Sequence, residues 1–150
     1  MPRRLLACAI LICLLLAGCA QQEDKAVTGV TLKSDMGIYV LIPDGWTYEQ
    51  EEASIIITKS GALAKISREV GGSTDEARAY MQALAEEVGS EFNEERLYSE
   101  PFFYTDSEVD GVWTRTYVGY MTSKHNTFYM TFVGSRTDKE LRAIEESILI

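Results

Sequence analysis

Residues 102–133, FFYTDSEVDGVWTRTYVGYMTSKHNTFYMTFV, decide the fold that the sequence predicts. Asp110-Gly111 and Thr122 to Asn126 divide this segment, and Asp-Gly is a strong signal for a two-residue hairpin turn. The runs between them are rich in aromatic and β-branched residues, as is typical of strands. These runs are Phe102 to Val109, Val112 to Met121 and Thr127 to Val133. The segment therefore predicts an antiparallel β-meander.

Further strands are predicted upstream of this meander. The β-rich runs there are Ile38 to Ile42, Ser54 to Thr58 and Ala62 to Ile66. Ser60-Gly61 predicts a hairpin between the last two runs, and Pro43-Asp44-Gly45 predicts a turn. Ile55, Ile56 and Ile57 are consecutive, whereas a strand with one face in water would alternate. We therefore expect both faces of the sheet to be covered.

Two helices are predicted around the meander. Ser73-Thr74-Asp75-Glu76 is a capping box, in which Ser and Glu satisfy each other's free amides, and Gly89 ends the apolar repeat that follows. The second helix is predicted to begin at Thr137, with Glu140 three residues later. Its apolar stripe is formed by Leu141, Ile144 and Ile148. Helices packed on antiparallel strands give an α+β domain, and we expect an α-β-α sandwich with one helix on each face.

The N-terminus has the layout of a secretory signal peptide. Arg3 and Arg4 precede Leu5 to Ala17, an unbroken apolar run of 13 residues. A membrane-spanning helix needs about 20 such residues, so we expect no span. Leu16-Ala17-Gly18-Cys19 closes the run and resembles the lipobox of bacterial lipoproteins. The resemblance implies that residues 1–18 are cleaved off and that Cys19 carries a diacylglyceryl group.

Residues 19–27 are then a lipidated cysteine and a polar tether, and residues 28–150 form one domain. Several acyl chains on one residue give stable membrane attachment. The expected location is the extracytoplasmic face of a membrane, and Ala20 instead of Asp favours the outer membrane of a cell with two. An ordinary signal peptide that contains a cysteine is the alternative.

The charge of the processed chain restricts its partners. Without residues 1–18 the chain has 12 basic and 23 acidic residues, a net charge of −11. This excess argues against nucleic acid, whose binding depends on Lys and Arg, and against binding flat on anionic lipid. With one histidine and no cysteine besides Cys19, a zinc site is not expected.

No motif for catalysis survives closer inspection. His125 is predicted to be an exposed turn residue and not a member of a catalytic triad. Asp106 to Gly111 resembles the start of an EF-hand calcium loop, but the twelfth position is Tyr117 instead of Glu. Glu86-Glu87 and Glu94-Glu95 are interpreted as outward-pointing acids and not as a pair across a cleft. No catalytic residue, metal or cofactor is predicted.

Aromatic residues are concentrated in one part of the chain, with ten of the 15 between residues 98 and 132. Four of them lie on adjacent predicted strands and are candidates for an exposed binding surface, for which Tyr and Trp are suited. These candidates are Tyr104, Trp113, Tyr117 and Tyr120. Burial of all four against a helix is the alternative.

The order of these motifs resembles a known family. A lipobox is followed by Ile42-Pro43-Asp44-Gly45-Trp46, a hairpin, the capped helix at Ser73, the Asp110-Gly111 hairpin and a final helix ending in Glu146-Ser147-Ile148. This order resembles the PsbP-like proteins and, within them, the DcrB-type bacterial lipoproteins. The resemblance implies an α-β-α sandwich, no catalytic activity and a binding or accessory role in larger assemblies.

We therefore predict a membrane-anchored, non-catalytic binding or accessory module of the cell envelope. Its partners are the membrane, through the lipid on Cys19, and an envelope protein or small molecule. An envelope hydrolase and a purely structural envelope protein are the alternatives. A binding module predicts an aromatic surface patch, whereas a hydrolase predicts a deep pocket with at least two acids of shifted pKa.

Overall fold

The computed structural model describes residues 25–150, so the predicted signal peptide and Cys19 lie outside the described residues. Within this range no helix is long and apolar enough to cross a membrane. The elements in chain order are β1 (Gly29–Lys33), β2 (Tyr39–Pro43), β3 (Thr47–Glu51), β4 (Ser54–Lys59), β5 (Ala62–Val70), α1 (Thr74–Val88), β6 (Asn93–Leu97), β7 (Glu100–Val109), β8 (Val112–Met121), β9 (Asn126–Gly134) and α2 (Lys139–Ser147).

Seven strands form one antiparallel sheet in the order β3-β4-β5-β9-β8-β7-β6. It consists of two meanders, β3 to β5 and β6 to β9, which join where β5 pairs with β9. Strands β1 and β2 pair as a separate two-stranded sheet. The domain therefore belongs to the predicted α+β class.

The two predicted hairpins are confirmed by their turns. Asp110 and Gly111 have φ values of 51° and 77°, and positive φ at both central residues is what a type I′ turn requires. Val109 consequently lies opposite Val112 in the register. Gly61, between β4 and β5, also has a positive φ of 78°.

The ends of the helices follow capping chemistry. Ser73 caps α1 as predicted, since its Oγ accepts a hydrogen bond from the Glu76 amide, and Gly89 ends the helix with a φ of 66°. The predicted start of α2 at Thr137 is wrong by one residue. Asp138 is the N-cap because its carboxylate accepts hydrogen bonds from the amides of both Glu140 and Leu141.

The helices contact opposite faces of the sheet. This follows from the strand residues that they contact, since neighbouring residues of one strand point to opposite sides. On one face Met81 of α1 packs with Phe103 and Val118. On the other face, α2 and strand β2 cover a larger core. Members of this core from the sheet and from its cover are Trp113, Tyr117, Phe132, Val40, Leu141 and Ile144.

Cover on the α1 side of the sheet is incomplete. Helix α1 packs on β7 and β8 and does not extend over β3 to β5. Ile56 is accordingly only half-buried between the buried Ile55 and Ile57, and its neighbour Lys65 is exposed. The consecutive isoleucines thus correspond to one covered and one partly open face.

Gly119 makes room for an aromatic side chain of the larger core. It lies opposite Phe102, and a Cβ at residue 119 would overlap the buried Phe102 ring. We expect Gly119→Ala to lower the free energy of unfolding by about 2–3 kcal/mol, the upper part of the range for overpacked cores. Urea denaturation measures this. The same substitution in a Phe102→Leu background should cost much less, and equal costs in both backgrounds would place the clash elsewhere.

Candidate binding site

A cavity of about 400 Å³ opens on the sheet face that carries α2, between that helix and residues of strands β6, β8 and β9. Its apolar lining is Leu97, Met130, Phe132, Ile148 and Leu149. Its polar and charged lining is Glu95, Tyr98, Arg115, Tyr117, Arg142, Glu145 and Glu146. Apolar walls with a few placed polar groups are typical of small-molecule sites.

The cavity exists because α2 covers only part of this face. The helix packs against β2, β5 and β9, which leaves the strands on the far side of β8 without a helix above them. Ile148, directly after α2, is connected to that side by Tyr98, whose hydroxyl donates a hydrogen bond of 2.6 Å to the Ile148 carbonyl. Burial, and secondarily the charge of Glu95, raise the pKa of Tyr98 to about 12, so it remains a donor at neutral pH.

Arg115 is the central charged residue of the site. Its Nε and Nη2 donate to the two carboxylate oxygens of Asp106 at 2.6 and 2.7 Å. Its Nη1 donates to Glu145 Oε1 at 3.1 Å, which connects β8 to α2. The guanidinium fork fits a carboxylate in this two-point geometry, and the Arg115 side chain is only 17% exposed. The orientation of Arg115 is therefore fixed from both sides.

Tyr117 completes this network. Its hydroxyl donates a 2.7 Å hydrogen bond to the same Glu145 oxygen. Burial, together with that hydrogen bond, raises the pKa of Tyr117 well above its usual range. The hydrogen bond to Asp106 raises the pKa of Arg115 above its usual range, although burial opposes it. At neutral pH Tyr117 is thus protonated and Arg115 charged.

Three of the four predicted aromatic residues surround Arg115. The Arg115 guanidinium lies 5.0, 5.3 and 5.8 Å from the ring centroids of Tyr104, Trp113 and Tyr117. The Tyr104 and Tyr117 centroids are 5.1 Å apart. Contacts of this length are in the range of cation–π attraction, so the rings and the guanidinium stabilise one another.

The four candidate aromatic residues do not all lie on one face of the sheet. Tyr120 has the opposite parity to Trp113 and Tyr117 on β8, so it lies on the other face of the sheet, where its hydroxyl is 3.4 Å from Nδ1 of His125. Trp113 and Tyr117 are 1% and 4% exposed, whereas Tyr104 is half-buried. The binding role of these residues stays a prediction.

The other candidate residues lie in a turn, on α1 and on β6. His125 is an exposed turn residue, as predicted, with a φ of 53°. Glu86-Glu87 is exposed on α1, also as predicted. The interpretation of Glu94-Glu95 as outward-pointing acids is wrong for Glu95. The pair lies on β6, where neighbouring side chains point to opposite faces, and Glu95 lines the cavity. Glu94 points away and pairs with Arg78 at 3.2 Å.

The acidic segment that resembles the start of a calcium loop begins at Asp106. Asp106 lies within β7, and both of its carboxylate oxygens accept hydrogen bonds from Arg115. Within residues 25–150, no three His, Cys, Asp or Glu side chains are grouped so that they could hold a metal ion.

Comparisons with known proteins bear on the fold. No protein-family model matches the sequence, and no curated protein does. Among solved structures, the Ran-binding protein Mog1p of Saccharomyces cerevisiae superimposes with a TM-score of 0.54 at 9% identity, over 83% of this chain and 96% of that one. This chain resembles Mog1p in fold. A Mog1 point mutant gives a TM-score of 0.51 at 8% identity, over 82% and 96% of the two chains.

A structure from Bacteroides thetaiotaomicron is also similar, with a TM-score of 0.50 at 14% identity over 81% of this chain. The match spans about half of that longer protein, 48% of its length. At these identities the likeness to Mog1p and to the Bacteroides protein concerns the fold alone. It identifies no residue of the cavity.

Sequence reasoning missed most of the charged residues of the site. Arg115 alternates with Trp113 and Tyr117 on a strand, and a charge at a core-facing position requires a partner. This pattern could have identified Arg115 as a residue of the site from the sequence. Tyr98 had none, because it lies in the Tyr98-Ser99 turn, where both residues have positive φ although neither is Gly, Asn or Asp.

Proposed function

We propose that this chain is a non-catalytic binding module of the cell envelope, anchored by lipid on Cys19, and that it binds its partner at the cavity beside α2. The observation that carries the binding proposal is the combination of an open 400 Å³ cavity with a fixed polar network at its wall. Polar groups that are already oriented lose little freedom when a ligand binds, which favours affinity.

The same network supports positioning of a ligand over proton transfer. General acid–base catalysis works best with a group whose pKa lies near the working pH. The pKa values of Tyr117 and Arg115 are instead raised away from neutrality by burial and by Asp106, respectively. Glu145 already accepts hydrogen bonds from both residues.

The proposal also includes the lipid anchor and the arrangement of the helices on the sheet. The lipobox-like Leu16-Ala17-Gly18-Cys19 supports lipidation, and a short polar tether leads from it to β1 at Gly29. We assign the extracytoplasmic face of the membrane, and the outer membrane where the cell has two. The contacts of α1 and α2 with opposite sheet faces support an α-β-α sandwich of the PsbP-like type.

Recovery of the partner from membranes tests the binding site. The full-length chain, purified in a non-ionic detergent, is used to capture membrane components, which are identified by mass spectrometry. We expect Leu149→Arg, which places a long cation at the mouth of the cavity, to reduce recovery at least tenfold. Leu149 is 60% exposed, so the fold should tolerate the change.

Val88→Arg is the matched control. Val88 is another exposed apolar residue, 43% accessible, on α1 at the opposite face of the sheet. Recovery equal to that of the unmodified chain is expected. If Leu149→Arg captures as much as Val88→Arg does, the partner binds elsewhere and the assignment of the cavity is wrong.

A further inference from the structure

We infer that the cavity takes a small organic cation with an apolar body, of the arylalkylamine type. This inference rests on the proposed binding function and adds the chemical class of the ligand. It follows from the acidic residues in the lining that form no ion pair within residues 25–150 and from the contacts that the two arginines already make. The tyrosines in the wall and the volume of the cavity add to it.

Two acidic residues line the cavity, the half-buried Glu95 on β6 and the exposed Glu146 on α2. Within residues 25–150, neither carboxylate has an ion pair or a side-chain hydrogen bond. Glu95 is half-buried in this position. A cation beside Glu95 would be attracted in partly desolvated surroundings, where such attraction exceeds that in open water. The exposed Glu146 would add a weaker attraction, because solvent and salt screen it.

The arginines offer less to an anion. Arg115 is already neutralised by Asp106 and Glu145 through three hydrogen bonds. Arg142 lies at the other end of the site, with its guanidinium 5.9 Å from the Trp113 ring centroid and its Nε donating to the Arg136 carbonyl. An anion near Arg142 would also meet Glu145 and Glu146. The net charge of −11 predicted for the processed chain adds a field that attracts cations.

The walls and the size favour an amine that carries an aromatic or similar apolar group. Tyr98 and Tyr117 are among the residues that line the cavity, and aromatic rings attract ammonium groups. Leu97, Met130 and Ile148 supply apolar surface. Arg142 and Ile148 are about 9 Å apart along the axis of α2. The cavity volume of about 400 Å³ is in the range of small-ligand sites.

Three probes of matched shape test the inference: 2-phenylethylammonium, 3-phenylpropionate and 2-phenylethanol. They are titrated into the full-length chain in non-ionic detergent at free concentrations set by dialysis, and backbone amide shifts are followed by NMR. We expect the ammonium to shift the amides of Tyr98 and Leu149 and to bind at least tenfold more tightly than the carboxylate. The alcohol should fall between them.

Charge-removing variants connect this preference to the residues. Glu95→Gln should weaken ammonium binding about fivefold, the size of one partly exposed charge pair. Glu146→Gln should weaken it less, because Glu146 is exposed. Glu87→Gln is the control, because Glu87 is an exposed acid on α1 across the sheet. It should leave binding unchanged.

The other outcomes are decisive as well. Tighter binding of the carboxylate, lost in Arg142→Gln, would overturn the cation inference while keeping the cavity as a binding site. Equal binding of the three probes, or no shift of the cavity amides by any of them, would also overturn it. Loss of the proposed function itself is detected separately, as recovery of the membrane partner that Leu149→Arg does not change.

Discussion

Replacing Cys19 with serine should abolish the incorporation of labelled palmitate into the chain and stop its cleavage before residue 19. The physical reason is that the lipid is attached to the thiol, which the predicted lipobox Leu16-Ala17-Gly18-Cys19 presents directly behind the apolar run. Metabolic labelling and the mass of the purified chain measure the two effects.

Cys13→Ser is the matched control, because Cys13 lies inside the same apolar run and the cleaved segment would remove it. This variant should be labelled and cleaved like the unmodified chain. Labelling of Cys19→Ser at the unmodified level would refute the lipid anchor, and with it the assignment to the membrane.

Arg115→Met should lower the free energy of unfolding by about 3 kcal/mol, the lower end of the range for removing one partner of a buried ion pair. Methionine keeps much of the apolar stem but leaves the carboxylates of Asp106 and Glu145 without their shared cation. These side chains are 22% and 13% exposed, so water compensates little. Urea denaturation at neutral pH measures the loss.

Arg78→Met supplies the comparison. Arg78 forms a single 3.2 Å ion pair with Glu94 in which the side chains are 41% and 43% exposed, and such surface pairs contribute less than about 1 kcal/mol. Adding Asp106→Asn and Glu145→Gln to Arg115→Met should restore part of the stability, because the uncompensated charges disappear. A loss from Arg115→Met no larger than that from Arg78→Met would contradict the central role of the network.

The features that could be predicted from the sequence are those encoded by neighbouring residues. Asp110-Gly111 and Ser73 to Glu76 act through their own backbone and side-chain hydrogen bonds, so their positions could be inferred without the rest of the chain. Strands β3 and β6, with the sequences TYEQE and NEERL, gave no such signal. Both are edge strands of the seven-stranded sheet, and charged residues are common there.

The binding site also has features that neighbouring residues encode and features that they do not. The parity of β8 places Trp113 and Tyr117 on one face and Tyr120 on the other, and strict alternation along the strand was enough to work this out. The contact of Arg115 with Glu145 joins residues from β8 and α2 that are 30 positions apart. No pattern within either segment indicates it, because it depends on where α2 lies across the sheet.

The pairing of β5 with β9 has a consequence for the rate of folding. Each meander closes through short turns, but their union brings Leu63 opposite Val133 and encloses α1 and three strands. The entropy of closing this loop is lost before its contacts stabilise the chain, and such non-local pairing slows folding. Folding speed should therefore respond most to residues along this seam, such as Ile66 opposite Met130.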